Sequence, residues 1–301
     1  MSQKWELSKR RVVGGAERLA DRHIPAFDRL AALTPIAANR GQPQYVFVTS
    51  DREMSPRIYA NGGYDTAEMS WALDYLGQPQ RSGLVVEVGA NIGTTTVPLL
   101  TRHGASAVEA FEPAPLNFKL LWCNLILNEV ETRAAITQVA ISDQDAELVM
   151  ELCDWNTGDN RIAAANPQGE KMWESTRPRI HVPALRLDRA LAAPVEKVSL
   201  VWVDTQGHEA QVLAGASALL AAKVPWIIEY WPYGLARAGG AERLHRLIAD
   251  HFTGAVDVRR SMDSNRPVLI GPEEVATMSQ RPGLCPPGLE HDWYTDLILL
   301  P

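Results

Sequence analysis

VVEVGANIGTTTVPLL, residues 85–100, joins an apolar run to a turn with two glycines and then to a second apolar run. The first run carries one acid, Glu87, and the turn holds Gly89 and Gly93. Buried strands of parallel sheets read as nearly continuous apolar runs, and glycine lets a ligand approach the backbone of a turn closely. The stretch therefore predicts a buried strand, a ligand-binding turn and a helix.

The sequence on both sides of this stretch alternates between strand-like and helix-like patterns. Such alternation predicts an α/β fold, in which a mostly parallel sheet carries helices on both faces. Ligands of these sheets bind beyond the carboxyl ends of the strands. Acidic or hydroxyl-bearing residues stand near the ends of the predicted strands, at Glu87, Glu112, Ser142 with Asp143, Asp204 and Glu229.

Residues 1–59 precede the alternating pattern and are predicted to form an N-terminal extension that serves as a cap or a dimer contact. Apolar spacing predicts a helix over residues 15–35, and residues 45–50 and 56–60 are interpreted as the strands of a hairpin. Residues 60–301 are predicted to form the main domain. Its first helix is expected to begin at Asp65, an N-cap residue with an acid three positions later.

The composition argues against several kinds of partner. The chain has 301 residues and a formal net charge of −7, which gives no basic surface for nucleic acid. Its longest apolar stretch, residues 212–231, is interrupted by Lys223 and Pro225, so no membrane span is expected. Three cysteines far apart in the sequence and an N-terminus without an apolar core suggest a cytoplasmic protein.

Three ligands commonly bind a turn such as residues 89–93. A P-loop needs a lysine after its last glycine, and none follows Gly93. A nicotinamide fingerprint needs glycines where Asn91 and Thr94 stand, and the carboxylate of Glu87 would repel a diphosphate. S-adenosylmethionine is cationic and carries no phosphate, so the negative charge of Glu87 would attract it. Glu112 could accept hydrogen bonds from its ribose hydroxyls. An ordinary strand–helix turn with a solvated acid is the alternative.

Five motifs in order strengthen the interpretation. They are VEVGANIGTTT (86–96), AFEPAPLNFKLLWCNLILN (110–128), AISD (140–143), TGDNRI (157–162) and VDTQGHEAQVLAGA (203–216). Over roughly residues 60–232 the sequence resembles the FkbM family of S-adenosylmethionine-dependent methyltransferases. The resemblance implies a Rossmann-like class I methyltransferase fold with a seven-stranded sheet. Known members of the family mostly carry out O-methylation in natural-product or glycan pathways, and the resemblance implies the same reaction here.

The resemblance also implies where the cofactor binds. The methionine part is expected at Glu87, Gly89, Asn91, Gly93 and Asp204, the ribose at Glu112 with Pro113 shaping the turn, and the adenine at Ser142 and Asp143. Asn117, one helical turn into the next helix, is a further candidate, and a solvated helix position is its alternative.

Methyl transfer to a hydroxyl requires an aligned acceptor and a group that takes the proton. Asp204 is predicted to end the strand beside the one that carries Glu87, which puts it near the methyl group. His208 follows at the start of the next helix, and its ordinary pKa lies near neutrality. We therefore interpret His208 as the base and Asp204 as the group that orients the acceptor. The alternatives are a helix-start histidine and a first-turn acid.

The acceptor site is predicted from less specific features. Asp159, Asn160 and Arg161 belong to a long polar segment that could fold over the pocket. Tyr230 and Trp231 end a predicted strand and could form a flat wall against a sugar or polyketide ring, although packing is the simpler interpretation. A divalent metal remains possible but is not favoured, because no HxH or HExxH spacing occurs.

Three functions remain open at this stage. The favoured one is O-methylation of a small-molecule or glycan acceptor by an enzyme that could be a homodimer. The second is methylation of nitrogen or of a protein. The third is a non-catalytic binding subunit, which would be expected to have lost the turn at residues 87–93.

Overall fold

The computed structural model describes residues 17–77, 82–164, 174–278 and 293–301, with side chains from residue 25 onward. The strands are β1 (Ile36–Ala38), β2 (Val46–Val48), β3 (Leu84–Val88), β4 (Ala107–Phe111), β5 (Ala134–Thr137), β6 (Ala140–Ser142), β7 (Ala146–Glu151), β8 (Arg161–Ile162), β9 (Arg179–Arg186), β10 (Val198–Val203), β11 (Trp226–Tyr230), β12 (Gly254–Asp257), β13 (Leu269–Ile270) and β14 (Thr295–Leu300).

The helices are α1 (Glu17–Leu33), α2 (Met54–Asn61), α3 (Thr66–Leu76), α4 (Thr96–Thr101), α5 (Pro115–Leu127), α6 (Leu187–Ala190), α7 (Glu209–Ala214), α8 (Ser217–Ala221), α9 (Pro232–Arg237), α10 (Ala241–His251), α11 (Val258–Ser264) and α12 (Pro272–Thr277). Within the described ranges, none of these helices is long and apolar enough to cross a membrane.

The central sheet follows the order β5-β4-β3-β10-β11-β14-β12-β13. The first five strands of that order are parallel to one another, whereas β14 runs antiparallel to both β11 and β12. This arrangement confirms the predicted Rossmann-like class I methyltransferase fold. The expected seven strands are joined by the two-residue strand β13, which adds an eighth at the edge.

The chain reverses its direction of travel across the sheet between β3 and β10. From β3 it proceeds through β4 to β5 on one side, and it returns to β10 and β11 on the other. Strands that part in this way leave a crevice beyond their carboxyl ends, where ligands of open α/β sheets bind. The turn after β3 and the residue after β10, Asp204, therefore face the same crevice.

Apolar residues cover both faces of the central sheet, as the prediction requires. Val86 contributes to the core on one face, with residues of α7 and α10. Val85 contributes to the core on the other, where Phe27 and Phe47 of the N-terminal region also pack. The N-terminal extension is thus part of the main core, and the boundary drawn after residue 59 falls inside α2.

A smaller sheet, ordered β6-β9-β7-β8, packs beside the central one. The apolar pattern of residues 136–143 predicts one continuous strand, but the chain leaves the central sheet after Thr137 and re-forms as β6. Ser142 therefore ends a strand of the small sheet rather than of the central one. It also contacts α7, because a Cβ added at Gly215 would lie 2.0 Å from its carbonyl oxygen.

Two local predictions in the N-terminal part are wrong. Residues 56–60 belong to helix α2, because Pro56 lies in its first turn, where a proline is tolerated. The hairpin forms instead between β1 and β2. Asp65 does occupy the predicted N-cap position of α3, with a left-handed φ of 49°, but its side chain caps no backbone N–H.

Candidate functional site

A pocket opens beyond the carboxyl ends of β3, β4 and β10. Eight residues predicted for the site line it: Gly89, Asn91, Glu112, Pro113, Asn160, Arg161, Asp204 and His208. Asn117 lines it too. The other predicted residues do not belong to its lining, namely Glu87, Gly93, Ser142, Asp143, Asp159, Tyr230 and Trp231.

Backbone contacts fix the turn after β3. The N–H groups of Gly89 and Ala90 donate to the carbonyl oxygen of Phe111, at 2.9 and 3.1 Å. Gly89 has a φ of +89°, and a Cβ there would lie 1.8 Å from the carbonyl oxygen of Asp204. Only glycine satisfies both the left-handed conformation and this contact between neighbouring strand ends.

Glu112 closes the turn from the end of β4. Its two carboxylate oxygens accept backbone N–H groups from Asn91 and from Ala114, each at 2.8 Å. Burial raises the pKa of this carboxyl to about 7, and the two N–H donors oppose the rise. A carboxylate oxygen has more than one acceptor position, so both oxygens can still receive a hydroxyl from the pocket.

Glu87 lies behind the turn rather than inside the pocket. Its side chain is buried in β3, where it accepts a hydrogen bond of 2.6 Å from Thr96 Oγ1. Burial raises the pKa of Glu87 to about 8, and the Thr96 hydrogen bond opposes that rise. Gly93 also faces the interior, where a Cβ would lie 2.9 Å from Leu121 Cδ1. Their predicted contact with a ligand remains a prediction.

Asp51 holds the segment that covers the turn, and the sequence analysis missed it. Its Oδ2 accepts both the backbone N–H of Thr157, at 2.7 Å, and the Thr157 hydroxyl, at 2.8 Å. Asn117 Nδ2 donates to the Thr157 carbonyl and to Asn91 Oδ1, at 3.0 and 2.9 Å. Oδ1 of the same Asp51 accepts three backbone N–H groups at the start of α2, including that of Met54. An aspartate before an apolar helix was the available sequence signal.

His208 stands at the other side of the pocket, just before α7. Its Nε2 lies 3.0 Å from Ser142 Oγ at the end of β6. Burial lowers the pKa of His208 to about 4, although Asp143 acts in the opposite direction. Asp143 itself pairs with Arg243, which holds the carboxylate outside the pocket lining. His208 is therefore neutral at ordinary pH and is placed near Ser142 rather than near the acids.

Two carboxyl groups meet at the crevice between β10 and β11. Gln206 Nε2 donates to Asp204 Oδ1 at 2.7 Å and to Glu229 Oε2 at 2.9 Å. Burial raises the pKa of both acids, and the charge of Asp204 raises that of Glu229 further. Asp204 is open to the pocket, whereas Glu229 is buried. No cluster of three or more potential metal ligands occurs in the part of the chain that the structure describes.

Ionised side chains form a buried cluster next to Asn160. The Arg177 guanidinium donates to the carboxylate of Asp159 and to the backbone carbonyl oxygen of Asp159. Arg161 Nη2 lies 3.0 Å from Glu174 Oε1 and 3.6 Å from Asp159 Oδ2. Asp159 is thus an internal ion-pair partner, whereas Arg161 lines the pocket. Arg237 of α9 completes the cluster through its contact with Glu174, at 3.0 Å.

The two predicted wall aromatics face away from the pocket. The Tyr230 hydroxyl lies 2.9 Å from His245 Nε2 and also donates to the carbonyl oxygen of Val275. Trp231 is buried beneath the Arg161 guanidinium, whose central carbon lies 5.2 Å from the ring centroid. Neither residue lines the pocket, so any contact with an acceptor ring would have to come from other side chains.

Comparison with known families gives one match. The model of the methyltransferase FkbM domain family matches residues 87–245, which is more than half of the chain. That range contains the turn, Glu112, both carboxyl groups of the crevice and the buried charged cluster.

Two curated proteins are similar over part of their length. "Methyltransferase 1" of Beauveria bassiana (strain ARSEF 2860) is 27% identical over 143 residues, covering 44% of this chain and 57% of that protein. "2-O-methyltransferase NoeI" of Sinorhizobium fredii (strain NBRC 101917 / NGR234) is 25% identical over 145 residues, covering 46% of this chain and 58% of that protein. The matches thus span less than two thirds of either relative.

Solved structures of similar fold are more distant. TYW2 of P. horikoshii, in complex with MeSAdo, has a TM-score of 0.44 and 12% identity, with 88% of this chain and 70% of that chain covered. Residues 961–1257 of StiE O-MT have a TM-score of 0.40 and 10% identity, with 77% and 72% covered. At these scores the strand order, rather than the similarity, identifies the fold.

Proposed function

The chain belongs to the FkbM family of methyltransferases, and on that premise we propose that it transfers a methyl group from S-adenosylmethionine to a hydroxyl of a small-molecule or glycan acceptor. One observation carries the proposal. Asp204, hydrogen-bonded through Gln206 to Glu229, opens into the same pocket as the turn at Gly89. A cofactor-binding turn and a candidate proton acceptor therefore share one cavity.

The pocket suits S-adenosylmethionine in shape and charge. Glu112 has free acceptor positions for the ribose hydroxyls, and Val139, Ile141 and Ile162 offer apolar surface to an adenine ring. The acids favour a cation, and the turn lacks the lysine that a phosphate-binding loop uses. When bound, S-adenosylmethionine supplies an electrophilic methyl group carried on a sulfonium. Gly89 and Asn91 would hold its methionine part.

Asp204 is the group we assign to the acceptor proton. Burial raises the pKa of both acids. The charge of Asp204 raises the pKa of Glu229 further, whereas a hydrogen bond with Glu229 opposes the rise in the pKa of Asp204, so we assign a proton shared by the pair to Glu229. Asp204 then accepts the proton of the acceptor hydroxyl as the oxygen attacks the methyl carbon. The Gln206 amide donates to both carboxyl groups and keeps them in place.

This assignment revises the initial interpretation of His208 as the base. His208 is held against Ser142, and its pKa of about 4 makes it a weak proton acceptor. A group with that pKa would also give no pH dependence near neutrality. Asp204 combines a raised pKa with an open position in the pocket, so it meets both requirements better.

Oxygen is the favoured acceptor atom because one relative is named for that chemistry. NoeI is a 2-O-methyltransferase, and its similarity to this chain covers 46% of the residues here. A carboxylate that opens into the pocket, as Asp204 does, is also what a hydroxyl needs, since the proton of the hydroxyl must leave during the transfer.

The first experiment measures cofactor binding and then transfer. Calorimetry should detect binding of S-adenosylhomocysteine but not of NAD. Hydroxylated compounds should then gain a labelled methyl group, and their amino analogues should not. Asp204→Asn should lower kcat by about 10²–10⁴-fold, the usual contribution of a general base, with S-adenosylhomocysteine affinity nearly unchanged. The wild-type rate should rise with pH as Asp204 ionises.

Three results would contradict the proposal. They are absence of S-adenosylhomocysteine binding, methyl transfer to nitrogen in preference to oxygen, and full activity of Asp204→Asn with an unchanged pH profile. The last result alone would leave the reaction in place and remove Asp204 as the base.

A further inference from the structure

Arg161 is a buried cation with unused hydrogen-bond donors. Its side chain is 1% exposed, and Nε and Nη1 have no hydrogen-bond acceptor among the described residues, while Nη2 lies 3.0 Å from Glu174 Oε1 without the geometry of a hydrogen bond. A guanidinium carries five N–H donors and cannot lose its charge under ordinary conditions. Leaving such donors unpaired in the interior is costly, so their position calls for a partner.

The ion pairs around Arg161 do not satisfy it. Its two carboxylate neighbours, Asp159 and Glu174, also contact Arg177 and Arg237 respectively. Two carboxylates therefore face three guanidinium groups. The remaining acid of the cluster, Glu151, binds Arg237 through one carboxylate oxygen and the half-exposed Arg179 through the other. Burial lowers the pKa of Arg161, and Arg177 and Arg237 act in the same direction, although Asp159 and Glu174 oppose them.

Among the described residues that line the pocket, Arg161 is the one lysine or arginine. Arg177 and Arg237 belong to the same cluster but lie outside that lining. The least satisfied cation of the cluster is therefore the one that a ligand can reach. An anionic group in the pocket would occupy its free donors and balance its charge.

Arg161 lies toward the acceptor end of the pocket. The segment just before it covers the turn, since a Cβ at Gly158 would lie 3.4 Å from Asn91 Nδ2. Three residues later the Arg161 guanidinium lies over Trp231, which directly follows β11 and stands two residues after Glu229. The chain thus passes from the turn to the strand that carries one of the paired acids.

We propose that Arg161 binds a carboxylate or similar anionic group of the methyl acceptor, so that the acceptor is a hydroxylated acid. The inference rests on the proposed function, because it names the substrate class of the same pocket. Two parallel N–H groups of a guanidinium match a carboxylate in plane and spacing, whereas a lysine offers only a point charge. Trp231 holds the guanidinium plane in position from below.

The test uses protein saturated with S-adenosylhomocysteine and three pairs of probes that differ only in charge. The pairs are 4-hydroxybenzoate and its amide, 4-hydroxycinnamate and its amide, and glucuronate and glucuronamide. Calorimetry should show that the acid of at least one pair binds about tenfold more tightly than the amide, the effect of one charge-assisted contact. Arg161→Gln should remove that preference, and Arg161→Lys should keep part of it.

Arg179→Gln is the matched control, because it removes one positive charge from the same cluster at a half-exposed position. It should leave the preference for the acid unchanged. Thermal melting of each variant with S-adenosylhomocysteine checks that the variant folds. If Arg161→Gln does not fold, a reduced preference for the acid in Arg161→Lys serves as the test instead.

The inference is overturned if wild-type protein binds acid and amide equally, or neither, in every pair. It is also overturned if Arg161→Gln retains the preference. A tenfold loss of S-adenosylhomocysteine affinity in Arg161→Gln would assign the guanidinium to the cofactor carboxylate instead. Failure of the wild-type protein to bind S-adenosylhomocysteine is seen before any probe is added, and it contradicts the proposed function itself.

Discussion

The two ends of the pocket are held by different kinds of contact. At the turn end, most of the contacts are hydrogen bonds of main-chain groups, such as those from Gly89 and Ala90 to Phe111. Even the side chain of Glu112 bonds to backbone N–H groups there. At the end near Arg161, where we propose that the acceptor binds and which we call the acceptor end, charged side chains contact one another, as Arg161 contacts Glu174. Those side chains come from the small sheet, from α9 and from the short turn at Glu174–Thr176.

This difference has consequences for variation. The turn tolerates few residue types at a position such as Gly89, because the left-handed φ and the nearby Asp204 carbonyl oxygen exclude a side chain there. A cluster of paired side chains can be retuned by exchanging one partner, at the cost of the charge that is left behind. The turn end is suited to one invariant ligand, and the acceptor end to ligands that vary.

Replacement of Gly89 by alanine should break the turn end completely. The new Cβ would lie 1.8 Å from the Asp204 carbonyl oxygen, a backbone atom that cannot move without shifting β10. The left-handed φ adds further strain, so we expect a loss of more than about 4 kcal/mol in unfolding free energy. Urea unfolding measures it.

Gly104→Ala is the control for Gly89→Ala. Gly104 has a similar φ of +80°, but nothing lies within 4 Å of its added Cβ. It should therefore lose only about 1 kcal/mol, the usual penalty of the left-handed conformation. Equal losses in the two variants would show that conformation, rather than the contact with Asp204, makes glycine necessary in the turn.

The turn end could be predicted from sequence because its signals are local. An apolar run, two glycines and an acid at the end of the next strand fall within residues 85–112, and the strand order then brings Asp204 beside them. Each feature follows from the backbone conformation that its residue type permits. Strand alternation alone does not decide which face of β3 carries Glu87, so its contact with a ligand stays a prediction.

The acceptor end could not be predicted in the same way. Arg237 and Glu151 are 86 residues apart in sequence, and nothing near either residue announces the other. The segment over the turn depends on a contact of the same long-range kind, because Asp51 and Thr157 are separated by 106 residues. The TGDNRI motif pointed to residues 159–161, but only the folded chain distinguishes Asp159, an internal partner, from Arg161, a pocket residue. Short-range patterns also failed for residues 56–60, which read as a strand and fold as a helix.

Arg237→Met tests how strongly the side-chain cluster holds the acceptor end. The substitution leaves Glu151, which is 0% exposed, without its buried partner, and it also removes a contact of Glu174. Breaking one partner of a buried ion pair costs about 3–5 kcal/mol, and we expect an unfolding free energy lower by that amount. Urea denaturation provides the measurement.

Arg179→Met provides the comparison for Arg237→Met, since Arg179 binds the other oxygen of Glu151 with a side chain that is 55% exposed. Its loss should cost no more than about 1 kcal/mol, as is usual for exposed pairs. If Arg237→Met also cost no more than about 1 kcal/mol, its buried ion pairs would stabilise the fold no more than exposed ones do, and the contrast between the two ends would disappear.

Glu112→Gln should weaken the turn end without unfolding it. The carboxylate accepts one backbone N–H on each oxygen, whereas an amide can accept only on one and must present N–H groups to the other donor. We therefore expect S-adenosylhomocysteine affinity to fall by about 1–3 kcal/mol, with Glu112→Ala at least as severe. Calorimetry checks both. Unchanged affinity would mean that the ribose is held elsewhere.

His208→Gln should have the smallest effect at neutral pH, and its sign should reverse in acid. At pH 7.5 the histidine is neutral and offers one hydrogen bond to Ser142, so its loss should cost about 1 kcal/mol. Burial lowers the pKa of His208 from 6.5 to about 4, so between those values the unfolded chain binds more protons than the folded one. The contribution of His208 to the unfolding free energy is therefore full above about pH 6.5 and decreases as the pH falls, by about 2 kcal/mol at pH 5.

The glutamine variant lacks that decrease. Urea unfolding at the two pH values should therefore show the variant less stable than wild type at pH 7.5 and more stable at pH 5. The rate of methyl transfer should keep its pH profile in the variant, because we propose that the acceptor proton passes to Asp204. A rate limb near pH 6.5 that vanished with His208 would restore the histidine as the base.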